Sequence, residues 1–204
     1  MKGISENMDK LLKRYPSLTQ CRKSIEEAAE LICSAYKNGG KILVCGNGGS
    51  AADSEHIVGE LMKGFLKKRK VTDERIPKYL RENIQGALPA ISLPSQCAIL
   101  SAFVNDVESD MMYAQLVYGY AKENDLVIGI STSGNSKNIV NAVEVAKCIG
   151  IKTLSLTGEN ESRLSELSDV TVRVPETETF KIQELHLPIY HYLCAYAERE
   201  FFDN

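Results

Sequence analysis

Two short runs in this chain place acid–base groups or hydroxyls beside turns able to hold an anion. In KILVCGNGGSAADSEHIVGE, from Lys41 to Glu60, His56 and Glu60 stand four residues apart. On a helix that spacing puts an imidazole and a carboxylate on one face, about 6 Å apart along the axis. The turn Gly46 to Ser50, just upstream, offers bare backbone N–H groups at the helix start, a seat for an anion such as phosphate. The second run, GISTSGNS, carries the hydroxyls of Ser131, Thr132, Ser133 and Ser136 ahead of another helix. Hydroxyl donors, free N–H groups and the helix dipole together make a neutral phosphate cradle. An ordinary helix cap needs only one or two such residues. The lysine of a GxxxxGK[ST] loop is missing, which counts against a nucleoside triphosphate.

The chain has three histidines, His56, His186 and His191. Two of them share FKIQELHLPIYHYL with Gln183. Gln183 and His191 lie on one stripe of that helix, and His186 lies one turn from Gln183, towards the side. An isolated histidine on an apolar helix is commonly a satisfied core residue. If the two helices converge, His56, Glu60, Gln183 and His191 offer nitrogen and oxygen donors that suit zinc or a neighbouring divalent ion. Pro188 removes a backbone bond inside this last helix and is a candidate kink.

Positioning these groups requires a particular scaffold. Buried strands are expected at 42–45, 87–93, 126–130, 152–156 and 170–174. Helices are expected between and after them, over 97–103, 110–121, 138–148, 163–167 and 180–201. Alternation at this spacing predicts an α/β fold, a five-stranded parallel sheet with helices on both faces. Ligands of such sheets bind beyond the carboxyl ends of the strands. Turns 46–50 and 131–136 both leave such ends, so they open on one edge.

A helical arm, 1–38, precedes the first strand in two pieces broken at Pro16, with Thr19 or Ser24 as the cap of the second. Gly39-Gly40 ends it. Its apolar face is expected to pack against another subunit. Residues 64–86 are charged and weakly apolar, an exposed excursion in which Lys67, Lys68, Arg69 and Lys70 form a solvated face. Residues 104–106 are expected to close the preceding helix in a polar loop.

At 204 residues the chain fits one domain, 1–204, with 44% hydrophobic and 25% charged residues. A net charge of −3 argues against direct nucleic-acid binding. Apolar runs fall short of the ~20 residues that span a bilayer, and the polar N-terminus lacks a signal-peptide core. Six scattered cysteines without a CxxC pair point to reduced thiols and a cytoplasmic location.

GNGGS followed by His56 and Glu60, then Asn105-Asp106, then GISTSGNS, then IQELH with His191, resembles the SIS (sugar isomerase) family over nearly the whole chain. Within it the pattern is similar to the phosphoheptose isomerase branch. The resemblance implies a flavodoxin-like SIS domain that converts sedoheptulose 7-phosphate to D-glycero-D-manno-heptose 7-phosphate through an enediol. It implies that Asn47, Gly48, Gly49 and Ser50 line the sugar-phosphate site and that Ser131, Thr132, Ser133 and Ser136 hold the phosphate. Asn105, Asp106 and Gln183 would contact the substrate. His56, Glu60, Gln183 and His191 would bind one Zn2+ per subunit, with Glu60 as base and His191 as its acid/base partner. A homotetramer with sites at subunit contacts is implied as well. The same family contains non-catalytic members, sugar-phosphate sensors and a tetrameric adaptor for the replication initiator DnaA. The adaptor branch typically lacks the full acid/base set that Glu60, Gln183 and His191 supply here.

Overall fold

The structure is a computed structural model describing residues 2–202, with side chains from residue 7. The helices are α1 (Lys2–Arg14), α2 (Arg22–Lys37), α3 (Gly49–Met62), α4 (Lys78–Arg81), α5 (Cys97–Asp106), α6 (Met112–Tyr120), α7 (Lys137–Cys148), α8 (Arg163–Leu167) and α9 (Thr179–Phe202). The strands are β1 (Ile42–Gly46), β2 (Ala90–Ser92), β3 (Leu126–Ile130), β4 (Lys152–Thr157) and β5 (Val170–Arg173). They form one five-stranded sheet in the order β2-β1-β3-β4-β5, and every pairing is parallel.

The central strands β1 and β3 are buried at every position, which is why they read as unbroken apolar runs. Alternate side chains serve opposite faces of the sheet. Val44, Ile128 and Leu154 join a core with α2, α3 and α9. Leu43, Cys45 and Val127 join a second core with α6, α7 and α8. β2 lies on one side of β1 and β3 on the other, so the order reverses between β1 and β3. A crevice therefore opens beyond their carboxyl ends. Pairing of Ile42 with Leu126 through Gly46 with Ile130 keeps those two ends level.

The N-terminal arm buries its apolar face within the same chain. Met8, Leu18, Ile25, Ala28 and Ile32 lie in the core shared with α9 and the sheet, so burying that face needs no second subunit. α2 ends as expected: the Gly40 N–H donates to the Ala35 carbonyl at 2.9 Å and the Gly39 N–H to Tyr36 at 3.0 Å. Neither Thr19 nor Ser24 caps α2. A 3-10 turn, Pro16–Cys21, runs straight into the helix, and the two hydroxyls donate to the carbonyls of Pro16 and Cys21 instead. Residues 104–106 also differ from expectation, continuing α5 as helix rather than opening a loop.

The excursion holds the largest correction. Leu66 and Tyr79 are exposed, but Arg69, expected on a solvated face, is 1% exposed. A guanidinium tolerates burial when its donors are used and its charge is paired. Glu198 on α9 and two main-chain carbonyls of α3 meet that requirement.

Candidate active site

The turn after β3 is built around its hydroxyls. Ser131 is buried, with Oγ 3.0 Å from Ser136 Oγ and 3.5 Å from Ser133 Oγ. Ser136 occupies the N-cap position of α7, yet its side chain makes no capping bond. The hydroxyl is turned into the loop, where an anion at the helix N-terminus would meet it. Gly134 has φ +65°, and a Cβ there would fall 2.0 Å from Ser162 Oγ, so this turn has room only for glycine. Beside it lies a cleft of about 270 Å³ lined by Thr132, Ser133 and Asn135 on one side and Glu176, Thr177 and Thr179 on another.

The turn after β1 meets it across the crevice. The amides of Asn47 and Asn138 exchange two hydrogen bonds, each 2.9 Å, and join the two turns. Gly48 caps α3 at φ +55°, and Ser50 is buried in its first turn. A Cβ on Gly49 would lie 2.7 Å from Gln183 Nε2 and 2.9 Å from its Oε1, so the bare backbone is what lets that carboxamide sit against the helix start.

The acid–base groups come together where α3 and α9 cross. His56 Nε2 is 3.3 Å from Glu60 Oε1 on its own helix and 3.3 Å from His191 Nε2 on the other. Glu60 is largely enclosed, with 14% of its side chain exposed, and accepts from Lys63 Nζ at 2.8 Å. Burial pushes the His191 imidazole below its ordinary pKa, the neighbouring His56 pushes the same way, and Glu60 opposes them. Behind His56, Tyr190 OH is 3.0 Å from Nδ1 and donates to Asp53 Oδ1 at 3.1 Å. Burial raises the Asp53 carboxyl above its usual range, against the hydrogen bond from Tyr190 and the proximity of His56. With Tyr190 donating to Asp53, its oxygen is left to accept from His56 Nδ1–H, which fixes the ring with Nε2 facing Glu60 and His191.

Sequence reasoning missed Lys63, Tyr190 and Asp53. Asp53 precedes His56 by one helical turn and Tyr190 is next to His191, but only the crossing of the helices brings them together. His186 is a core residue: fully buried, with Nε2 3.3 Å from the Thr157 carbonyl. Asn105 and Asp106 sit exposed at the end of α5, where Asn105 Nδ2 donates to Asp106 Oδ1 at 2.7 Å. Among the described residues neither has a hydrogen bond to the two turns.

The expected metal donors meet in part. Two imidazole nitrogens and a carboxylate oxygen are the donor types of a zinc site. Gln183 is seen against Gly49. Among the described residues, no group of three His, Cys, Asp or Glu side chains is arranged to hold a metal ion.

The SIS domain family model matches residues 6–158. The phosphoheptose isomerase of Helicobacter pylori (strain P12) is 38% identical over 91% of this chain and 88% of its own length. The chain belongs to the SIS domain family, in its phosphoheptose isomerase branch. The phosphoheptose isomerase of a Nitratiruptor species is 41% identical over 85% of this chain and 84% of its own. The structure of phosphoheptose isomerase GmhA from Neisseria gonorrhoeae superposes with a TM-score of 0.76 at 28% identity, covering 97% of each chain. The β2-β1-β3-β4-β5 sheet is thus the SIS fold.

Proposed function

We propose that the chain is an aldose–ketose isomerase converting sedoheptulose 7-phosphate to D-glycero-D-manno-heptose 7-phosphate. One observation carries this reading: His56 Nε2 lies 3.3 Å from both Glu60 Oε1 and His191 Nε2, which gathers a carboxylate and two imidazoles at the crossing of two helices. The relatives' activity and the hydroxyl-lined turn at the start of α7 support it.

The chemistry assigns roles to these groups. The phosphate sits on Ser131, Thr132, Ser133 and Ser136 at the α7 N-terminus, where helix dipole and hydroxyls offset its charge without a cation. Asn47, Gly48, Gly49, Ser50 and Gln183 line the path of the sugar, and Asn105 and Asp106 contact its hydroxyls. Glu60 removes the proton from the carbon beside the carbonyl and returns it to the adjacent carbon. His191 moves the accompanying protons on the oxygens. Its lowered pKa favours the neutral imidazole at neutral pH, the form that accepts a proton. Lys63 holds the far oxygen of the Glu60 carboxylate, and Tyr190 with Asp53 fixes the His56 ring. His56, Glu60, Gln183 and His191 would also be the donors for one zinc ion per subunit, which supplies Lewis-acid polarisation of the carbonyl when bound; a Glu60 tightly ligated to it would not be free to take the carbon proton.

The protein then works as a cytoplasmic homotetramer. α5 supports assembly, because it is apolar yet only partly buried in its own chain, with Leu100 against the second core and Ile99 and Val104 exposed.

A coupled assay with sedoheptulose 7-phosphate tests the reading, with metal content measured on the same preparation. Glu60→Gln and His191→Ala are each expected to lower kcat by about 10²–10⁴-fold, the range of positioned acid–base groups. Wild-type protein that binds the sugar phosphate without turning it over would mark a sensor instead.

A further inference from the structure

The buried cation of the excursion stands behind the site. Arg69 Nε donates to Glu198 Oε1 at 2.8 Å. Its Nη1 donates to the Leu61 carbonyl at 2.5 Å, and its Nη2 to the Glu60 carbonyl at 2.9 Å. Both carbonyls belong to the last turn of α3, where a helix leaves its carbonyls without intrahelical donors. A guanidinium there satisfies them and complements the negative end of the helix dipole. Glu198 is equally committed, accepting the Phe65 and Leu66 N–H groups at 2.7 Å each. These N–H groups lie just beyond the end of α3. The Phe65 ring packs on His191, with centroids 5.4 Å apart. One ion pair therefore holds the backbone of Glu60 on one side and the ring neighbour of His191 on the other.

We propose that Arg69 and Glu198 form a positioning latch that sets where Glu60 stands relative to His191. The inference rests on the reading of those two residues as the acid–base pair. A buried ion pair often gives no more stability than an apolar pair of similar volume. Its geometric effect is a different matter, because a displacement of about 1 Å at reacting groups costs about a hundredfold in rate. An apolar pair in place of the latch fills the same space but withdraws the guanidinium from the Glu60 and Leu61 carbonyls, of which Leu61 keeps the Leu88 N–H at 3.0 Å, and the acceptor from Phe65 and Leu66. The phosphate turn, on a different pair of elements, is left intact.

The test compares the full chain with the double variant Arg69→Met/Glu198→Leu and with Arg69→Lys. Melting temperature, hydrogen exchange by peptide, kcat and KM are measured for each, with sedoheptulose 7-phosphate as substrate. The double variant is expected to melt several degrees below the wild type, because each buried backbone group left unpaired costs about 1–3 kcal/mol. Residues 58–66 should exchange faster while β3 keeps its protection. kcat should fall by about 30–100-fold and KM change by less than about threefold. Arg69→Lys, which keeps the charge but lacks the planar fork, should recover only part of kcat. Unchanged kcat alongside faster exchange at 58–66 overturns the proposal, and so does unchanged exchange. Should the double variant not fold, Glu198→Gln must show the same kcat-specific loss in milder form, or the proposal fails. A wild type without isomerase activity overturns the proposed function instead. Exchange then decides the latch alone: local opening at 58–66 in the variants upholds it, and unchanged protection ends it.

Discussion

His186 and His191 share a helix and meet opposite fates. His191 borders the crossing with α3, while His186 is fully buried, with one ring nitrogen on the Thr157 carbonyl and Nδ1 without a hydrogen-bond partner among the described residues. Burial pushes the His186 pKa down to about 4, and the hydrogen bond to Thr157 opposes it only partly. The unfolded chain therefore binds a proton below pH ~6.5 that the folded chain refuses until about pH 4. Stability is complete above that window and falls as pH drops through it, by about 3 kcal/mol from this residue. Urea unfolding of the wild type and His186→Phe between pH 7 and pH 4.5 checks the slope. The variant is expected to lose much of the acid-side decline, whatever its stability at neutral pH. Arg69 is the converse case. Each part of its buried guanidinium is paired, and the sequence around it shows only a run of cations.

At the scale of elements, the start of α7 separates ligand binding from helix stability. A hydroxyl that capped α7 would cost about 1 kcal/mol to remove. Ser136 makes no such bond and faces Ser131 instead. Ser136→Ala is therefore expected to leave the melting temperature nearly unchanged while raising KM for the sugar phosphate about tenfold, the value of one hydrogen bond to a charged group. Steady-state kinetics beside a thermal melt checks this, and a lower melting temperature with unchanged KM would make Ser136 a structural cap. The start of α3 shows a related economy. Gly49 gives up a side chain so that Gln183 from α9 can reach it.

On the scale of the whole molecule, α5 and the residue after it form one of the places where apolar side chains stand uncovered, beside others in the excursion such as Leu66 and Tyr79. Ile99 is 41% exposed, Val104 45% and Val107 65%. α5 rests on the second core only through partly buried residues such as Leu100, and a second copy of the chain is the cover that the proposed assembly provides for its exposed apolar side chains. Light scattering is expected to give the mass of a tetramer. Ile99→Asp/Val104→Asp should lower that mass without unfolding the subunit, because neither residue belongs to its core. An unchanged mass would move the interface elsewhere.

Local sequence was enough for the strand–helix alternation, the bounds of β3 and α8 to the residue, and the two polar turns at strand ends. Periodicity, branched apolar runs and glycine-rich breaks depend on residues within one element. It also exposed His56 and Glu60 as a pair, since four residues on one helix fix their face. The packed chain was needed to show that His191 joins them, that Tyr190 and Asp53 stand behind His56, that the arm folds back on its own core, and that Arg69 is buried. Each of those depends on which helix faces cross in space. Crossing is set by packing summed over the whole core, so no short stretch of sequence carries it.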